Sequence, residues 1–333
     1  MRPFFYLSTV FLFVNVLKAQ QSRPTDSISK DSLNTLTEEK SKFKFFGLNQ
    51  ITFNQAYFEN WVSGGENSMT GLLSIDYNMN YLGEKGWLWD NNLMLSIGTT
   101  YLSGNAFFKK ADDRIEINSV LSKKVNTYWN YSAYFNFKTQ LLRGYRYFKK
   151  DGEDQKEKIS RILSPAIIQM GLGWYYKEGD LAWFNIAPLA ARGIFVSQDY
   201  TQNLSPGKKY FGVERGATSI ISIGASLSGF IRSNLMENIT IDNKFNVYVN
   251  YINKIENIDF EWNANIRLKV NDKISSNLIV HIQYDDDLIK RMQIRELFGL
   301  GLSIDIWSIK NYWLFFVIKT KPLTNLRHEK NQP

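Results

Sequence analysis

The stretch Ile258–Val270, IDFEWNANIRLKV, carries the pattern that decides the fold of this chain. Every second residue from Ile258 onward is apolar, and the residues between them are polar or charged. Successive side chains of a β-strand point to opposite faces, so this stretch predicts a strand with one apolar and one polar face. Met69–Tyr81 and Ile239–Tyr251 repeat the pattern, whereas a helix would need apolar residues three and four positions apart.

The same alternation, with more exceptions, extends along the chain and predicts about twelve strands. Many of them are roughly 11–15 residues long, whereas strands of soluble proteins cluster near five or six residues and a tilted membrane crossing needs roughly 9–11. Strand length therefore favours a membrane barrel. The remaining segments are Leu48–Tyr57, Trp87–Tyr101, Arg114–Val125, Tyr128–Leu142, Arg161–Tyr176, Leu181–Arg192, Ala217–Ile231, Ile274–Tyr284 and Gln293–Trp307.

The connections between these segments alternate in length. Odd-numbered connections are mostly long, with Ile252–Asn257 as a short exception, and even-numbered ones are mostly tight. Outer-membrane barrels combine short periplasmic turns with longer outside loops and an even strand number, so the pattern predicts a closed antiparallel transmembrane β-barrel, an up-and-down meander of all-β class. The long connections are Phe58–Ser68, Ser103–Asp113, Arg143–Ser160, Gly193–Gly216 and Asp285–Met292; the short ones are Leu82–Gly86, Asn126–Thr127, Lys177–Asp180, Arg232–Asn238 and Asn271–Lys273.

Aromatic residues concentrate near both ends of the predicted strands, as in the two girdles of membrane barrels. Pro165 and Pro188 fall inside predicted strands, where each removes a backbone donor, and we expect them at bulges or rim positions. The girdle predicted near the short turns comprises Tyr81, Trp87, Trp89, Trp129, Trp174, Tyr176 and Trp183. The girdle predicted near the long loops comprises Tyr57, Tyr101, Tyr251, Phe260, Trp262 and Tyr284.

Composition excludes several classes of protein. The 333 residues include no cysteine and two histidines, which excludes disulfide scaffolds and thiolate metal sites and leaves little for a multi-histidine metal centre. A mean hydropathy of −0.30 argues against a bundle of membrane helices. The net charge of +8 lies mainly at the two ends of the chain, so we expect no nucleic-acid binding. We also expect no cofactor and no bound metal.

Hydropathy divides the chain into four regions. Residues 1–19 have a charged start, an apolar run over Phe4–Val16 and Ala19 before the expected cut, which is typical of a signal peptide. Residues 20–42 are polar and predict a flexible periplasmic segment. We expect the barrel over residues 43–307 and a C-terminal tail of unclear role over residues 308–333. Tyr312–Ile318 could form an extra strand or a periplasmic anchor, but an added membrane strand would break the even strand number, which favours a poorly packed tail.

Several motifs, taken in order, resemble those of an uncharacterised family of Gram-negative outer-membrane β-barrels known as a domain of unknown function (DUF 3078). The resemblance covers roughly Phe45–Trp307 and implies an outer-membrane barrel, without an activity to carry over. This chain departs from the family by continuing past Trp307 to Pro333. The first motif includes a loop formed by Asn60, Trp61, Gly64, Gly65, Glu66 and Asn67; the others are Phe53–Gln55, Trp89–Asn91, Asp112–Asp113 with Glu116, Asn136–Gln140, Leu163–Ala166, Pro188–Leu189, Tyr284–Asp287 and Gly299–Gly301.

The polar faces of the strands provide the candidate functional residues. Charges of both signs are interleaved there, which predicts either a hydrogen-bonded plug or a narrow, weakly selective pore. The residues expected to line the lumen are Asp76, Asp90, Arg114, Glu116, Lys138, Asp242, Lys244, Glu261, Arg267 and Arg295.

These features predict a porin-like outer-membrane barrel acting as a narrow small-solute channel or as a structural, surface-interaction protein. Two alternatives stay open: a hydrolase with a rim site near His281 and Asp285–Asp287, and a secreted soluble β protein. We assign no catalytic residue. The outer-membrane location implies contact with lipid and lipopolysaccharide, and assistance from periplasmic chaperones and the barrel-assembly machinery. A small solute is a further expected partner.

Overall fold

A computed structural model describes residues 42–59, 66–252, 258–285 and 289–308. Twelve of its strands form one closed barrel, and two more form a separate hairpin. Among the described residues, no helix has the length and apolarity needed to cross a membrane. The strands are β1 Lys42–Ala56, β2 Ser68–Leu82, β3 Trp87–Leu102, β4 Lys109–Lys124, β5 Trp129–Thr139, β6 Gly144–Lys150, β7 Glu153–Ser160, β8 Ala166–Glu178, β9 Ala182–Phe195, β10 Ser219–Met236, β11 Ile239–Asn250, β12 Ile258–Lys269, β13 Ile274–Asp285 and β14 Ile289–Ser308.

The barrel closes where the first and last strands pair. Phe45–Phe53 of β1 run antiparallel to Leu300–Ser308 of β14, and every other neighbouring pair in the barrel is also antiparallel. Closure leaves the barrel without a free strand edge. The predicted fold class, an all-β closed antiparallel barrel of about twelve strands, is confirmed.

The connections gather at two ends, which we call the turn end and the loop end. The turn end carries the tight connections, such as residues 179–181 and 237–238, and the loop end carries the larger ones, such as residues 140–165 and 196–218. The connection between β3 and β4 is shorter than predicted, because β4 begins at Lys109 rather than Arg114. Likewise, β10 continues through Arg232 to Met236, so the connection predicted over Arg232–Asn238 shrinks to two residues.

The apolar and polar strand faces point in opposite directions. Large apolar side chains are exposed on the outside of the barrel, with Leu73, Leu300 and Ile304 at 40%, 65% and 67% exposure. Polar residues such as Gln50, Asn185 and Asn277 are buried on the inside. A soluble β protein arranges these faces the other way round, with its apolar side chains in the core.

The two prolines occupy irregular positions. Pro165 precedes β8, which begins at Ala166 rather than at the predicted Arg161. Pro188 lies in β9 where the register with both β8 and β10 shifts. A missing backbone donor is tolerated at such positions because the hydrogen-bond ladder is already interrupted there.

The hairpin β6–β7 lies in the connection over residues 140–165, where the sequence predicted only a loop. Its strand β7 is strongly charged and short, so it lacks the apolar alternation that marks the barrel strands. The hairpin packs on the neighbouring connection: Lys156 Nζ lies 4.4 Å from the ring centre of Phe107, and Tyr147 Oη donates to the Phe108 carbonyl at 3.2 Å. Cation–π contacts of this kind stabilise by about 0.5–1 kcal/mol at exposed sites.

The connection over residues 196–218 folds onto the loop end of β8–β10. Ile194, Val196 and Val213 form a small apolar cluster, and Tyr210 packs against it. Tyr210 Oη also donates to the Ile159 carbonyl at 2.8 Å, which joins this connection to the end of β7. Burial raises the pKa of Tyr210 to about 12, because the phenolate would lose its hydration.

Candidate functional site: the barrel lumen

A cavity of about 540 Å³ occupies the lumen. It extends from Asp112 and Arg295 toward the loop end to Gly179 and Asp180 at the turn end. The polar residues of most strands share one face, so strand alternation directs their side chains into the lumen. Of the ten residues predicted to line the lumen, nine surround this cavity: Asp76, Asp90, Arg114, Glu116, Asp242, Lys244, Glu261, Arg267 and Arg295. Lys138 is not among the residues lining the cavity, but it contacts Glu261.

Five ionisable side chains meet across the middle of the lumen, and we call them the Glu261 cluster: Arg114, Glu116, Lys138, Glu261 and His281. Glu261 on β12 pairs with Lys138 of β5, and its Oε1 lies 3.1 Å from Arg114 Nη2 and 3.0 Å from His281 Nε2. Strands β4 and β12 lie six places apart in the ring of twelve, so the Arg114–Glu261 contact spans the barrel. Arg114 also pairs with Glu116. Opposite charges thus link opposite walls.

Further ion pairs cross the lumen near the loop end. Arg192 of β9 binds two carboxylates, pairing with Asp259 of β12 and placing Nη2 2.9 Å from Asp285 Oδ2 of β13. Arg295 of β14 pairs with Asp112 of β4. Arg192, Asp259 and Asp285 are all less than one-fifth exposed at the side chain.

Three more ion pairs lie toward the turn end. Lys244 Nζ lies 3.3 Å from Asp76 Oδ2, Lys177 Nζ lies 2.6 Å from Asp90 Oδ1, and Arg232 binds Asp242 through two nitrogens at 2.6 and 2.8 Å. The first two join strands that are not neighbours. The lumen therefore carries ion pairs along most of its height.

Arg267 differs from the other charged residues of the cavity wall. Each of the others pairs with a residue of opposite charge. Within the described residues Arg267 has no ion pair or hydrogen bond, and its Nε is buried without a partner. Asn265, two positions earlier on the same strand face, has a buried Oδ1 that also lacks a hydrogen-bond partner within the described residues. The lumen therefore presents one uncompensated positive charge beside an open acceptor.

An aromatic group in the lumen was missed by sequence reasoning. Trp183 stacks on Phe230 with ring centres 6.5 Å apart and lies 6.1 Å from Tyr175. All three line the cavity. The aromatic girdle predicted near the short turns includes Trp183, and that prediction is wrong because Trp183 faces the lumen on the same side of β9 as Asn185. The sequence did carry a signal for this, because Trp183 and the polar Asn185 are two positions apart and therefore share one face of a strand.

The predicted rim site separates into two clusters. His281 contacts Glu261 inside the lumen, whereas Asp285 pairs with Arg192. Asp286 and Asp287 lie outside the described residues. Among the described residues, no group of three or more His, Cys, Asp or Glu side chains is arranged to hold a metal ion.

Several motif residues hold the barrel wall and its loops together. Trp89 Nε1 donates to Ser119 Oγ at 2.9 Å, and Ser119 donates to Asn91 Oδ1 at 2.8 Å, so these outward-facing polar groups satisfy each other. Gln140 accepts from Lys110 at 2.8 Å and donates to the Ser164 carbonyl at 3.0 Å, which ties the loop end together.

The motif loop near β1 is only partly described. Asn60, Trp61, Gly64 and Gly65 lie outside the described residues. Glu66 accepts a hydrogen bond from Asn105 at 3.1 Å, and Asn67 accepts one from the backbone of Phe58. Glu66 therefore links the first two connections of the loop end, whereas the bond to the Asn67 side chain lies within the first connection.

The chain is thus a closed twelve-stranded barrel with a charged, cross-linked lumen and an apolar exterior. Residues 53–145 match the family model described as "Protein of unknown function (DUF3078)". The resemblance noted from the motifs is confirmed over those residues. The matched residues run from β1 to the start of β6, and they include five of the ten residues predicted to line the lumen.

Several solved structures are similar to the chain at low identity. The translocator domain of the autotransporter NalP from Neisseria meningitidis has a TM-score of 0.37 and 7% identity, covering 90% of this chain and 95% of that one. An outer membrane channel from Pseudomonas putida F1 has a TM-score of 0.33 and 12% identity, covering 85% and 100%. The NanC porin has a TM-score of 0.31 and 8% identity, covering 80% and 100%. A search of curated proteins finds no match. These values are too low to transfer an activity.

Proposed function

We propose that this chain is an outer-membrane β-barrel of a Gram-negative cell whose lumen is a narrow, normally closed passage for small solutes. The observation that carries the proposal is the Glu261 cluster, in which Arg114, Lys138 and His281 converge on one carboxylate from separate parts of the wall. Ion pairs of this kind hold a narrow lumen closed while their partners stay together. The cavity extends from the cluster toward the turn end, where it is large enough to hold a small solute.

The apolar exterior supports the membrane location. Exposed apolar side chains such as Ile51, Leu172 and Leu302 occur on strands all around the ring, far beyond the patch size usual on a soluble monomer. Every barrel strand pairs with two neighbours, so the backbone N–H and C=O groups are hydrogen-bonded within the barrel, as the hydrocarbon core of a membrane requires. The same exterior argues against the secreted soluble alternative.

The remaining partners follow from this location. We propose that residues 1–19 direct export, that the turn end faces the periplasm and that the loop end faces outward, since outer-membrane barrels have short periplasmic turns. The barrel would contact lipid and lipopolysaccharide, and reach the membrane through periplasmic chaperones and the barrel-assembly machinery.

The rim hydrolase is the weaker candidate. His281 contacts Glu261 in the lumen, whereas Asp285 pairs with Arg192, so the histidine and the aspartate predicted for the rim site do not act together. We therefore assign no enzymatic activity to these residues.

Conductance across a planar lipid bilayer tests the proposed passage. We expect the wild-type barrel to be mostly closed, with brief openings. In Glu261→Ala, the cations Arg114 and Lys138 lose their shared partner and repel each other, so we expect openings that last longer or conduct more. The matched control is Glu157→Ala in β7, whose side chain is 59% exposed and pairs with Arg146 at 3.7 Å; this variant should conduct like the wild type.

Two results would contradict the proposal. If neither the wild type nor Glu261→Ala conducts, although both run as compact heat-modifiable species on detergent gels, the barrel is structural rather than a passage. If the wild type conducts steadily and Glu261→Ala conducts identically, the Glu261 cluster does not close the lumen.

A further inference from the structure

We infer that the turn end of the lumen is a binding site for a small hydroxycarboxylate monoanion, with Arg267 holding its carboxylate. The inference rests on the proposed function, because it names the class of solute that the lumen takes. It begins from the charge balance of the cavity wall. Acidic side chains such as Asp76, Asp90 and Asp242 are each neutralised by a cation, which leaves Arg267 as the uncompensated charge among the described residues of the wall.

An arginine favours a carboxylate partner for geometric reasons. Its planar guanidinium presents donors that match the two oxygens of a carboxylate, and such charge-assisted bonds are about twice as strong as neutral ones. Arg267 stands in the cavity wall with a buried Nε that lacks a partner within the described residues. A buried donor without a partner carries a desolvation cost that a bound anion would remove.

Asn265 defines the second requirement of the ligand. Its Oδ1 is an acceptor that lacks a partner within the described residues, so the ligand should bring a donor such as a hydroxyl group. Residues two positions apart on a strand are separated by roughly 6.5–7 Å. A carboxylate on Arg267 and a hydroxyl on Asn265 therefore belong to one small molecule with its hydroxyl a few bonds from the carboxylate.

The surroundings limit the charge and the size of the ligand. Every other cation of the described cavity wall is already paired with a carboxylate, so a second carboxylate on the ligand would find no cation there. The volume of about 540 Å³ lies within the roughly 300–1,000 Å³ typical of small-molecule sites. Trp183 adds an apolar ring surface on the cavity wall, against which the carbon skeleton can pack.

Calorimetric titration of the purified barrel in detergent tests the inference without requiring conduction. Sodium gluconate is the probe, since it carries one carboxylate and several hydroxyl groups. We expect saturable binding of gluconate, and binding at least about tenfold weaker for the dianion glucarate and for neutral sorbitol.

Variants identify the residue responsible. Arg267→Met should weaken gluconate binding by about tenfold or more, and Arg267→Lys should retain part of the affinity because it keeps the charge. Arg146→Met is the matched control, because it removes the same charge from the exposed hairpin, where Arg146 is 67% exposed; its affinity should equal that of the wild type. Heat-modifiable migration on a detergent gel shows that each variant is folded.

Either of two outcomes would overturn the inference: a folded wild-type barrel that binds no gluconate, or an Arg267→Met variant that binds gluconate as tightly as the wild type. A silent bilayer with gluconate binding intact would overturn only the proposed passage, and steady conduction without gluconate binding would overturn only the anion site.

Discussion

At the scale of the residue, the lumen keeps many charges out of bulk water by pairing them. Arg192 is the clearest case, since it lies between Asp259 and Asp285 and its side chain is 13% exposed. Removing one member of a buried ion pair typically costs about 3–5 kcal/mol, whereas an exposed ion pair contributes about 0–1 kcal/mol. Position rather than charge therefore decides what a side chain contributes.

We expect Arg192→Met to lower the free energy of unfolding by several kcal/mol, because the substitution removes a buried cation that contacts both aspartates. Unfolding by guanidinium in lipid vesicles, followed by tryptophan fluorescence, measures the change. Arg146→Met serves as the control and should shift stability by less than about 1 kcal/mol. Equal stability of the two variants would contradict this account of the lumen.

At the scale of the element, close packing of strands and loops depends on a few positions. A Cβ added to Gly301 of β14 would lie 2.4 Å from Asn277 Nδ2 and 3.3 Å from Gln50 Nε2. Gln50 Nε2 donates to Asn277 Oδ1 at 3.0 Å and to Ser303 Oγ at 3.2 Å. The Gly299–Gly301 motif therefore provides space for a buried amide network where β1 meets β14.

The connection over residues 196–218 is expected to loosen in Tyr210→Phe. The substitution removes the hydrogen bonds from Tyr210 Oη to the carbonyls of Ile159 and Ser164, at 2.8 and 3.3 Å. Losing about 1 kcal/mol of local stability should speed tryptic cleavage after Lys208 and Lys209 roughly fivefold. Tyr57→Phe, which changes an exposed tyrosine in another connection, is the control. If Tyr210→Phe were cleaved at the wild-type rate, the Tyr210 hydrogen bonds would not hold this connection against the loop end of the barrel.

The same tyrosine gives a pH dependence. Because burial raises the pKa of Tyr210 to about 12, the docked state favours the neutral phenol. This contribution is fully present below the ordinary tyrosine pKa of about 10 and is lost as the pH rises through about 12. We expect this connection to loosen across that range in the wild type, with little further change in Tyr210→Phe; cleavage by an alkaline protease of the subtilisin type, which does not require a charged lysine, measures it.

At the scale of the whole molecule, the barrel separates two environments. Its apolar exterior and its ion-paired interior are opposite faces of the same strands, so one residue step moves a side chain from one to the other. Leu300 of β14 is 65% exposed on the outer face. Under the proposed location, lipid covers that face.

We expect Leu300→Arg to destabilise the barrel by about 2–4 kcal/mol in lipid vesicles, the cost of a cation near the bilayer midplane. Leu163→Arg at the loop end, where Leu163 is 54% exposed, should have little effect because water can solvate the new charge. Guanidinium unfolding in vesicles measures both. If Leu300→Arg were as stable as Leu163→Arg, lipid would not cover the outer face.

The sequence by itself determined the strands, their two faces and the alternating connections, because alternation depends only on the chain geometry of each strand. Ile258–Val270 alone predicted an inward Glu261 and Arg267. It gave no signal for the hairpin β6–β7, whose strands bury no apolar face of their own. Alternation along each strand assigned the predicted lumen residues to the polar faces, but it did not predict which of them form ion pairs with each other.

Only the tertiary structure decided which charges meet. Lys138 and Glu261 are 123 residues apart in sequence, and their contact depends on the curvature and stagger of the closed ring. Closure of the barrel also brings most charged side chains of the cavity wall into ion pairs, whereas Arg267 has no ion-pair partner among the described residues. Alternation is a local property of each strand, whereas charge pairing across a lumen is a property of the barrel, because it requires the first and last strands to join.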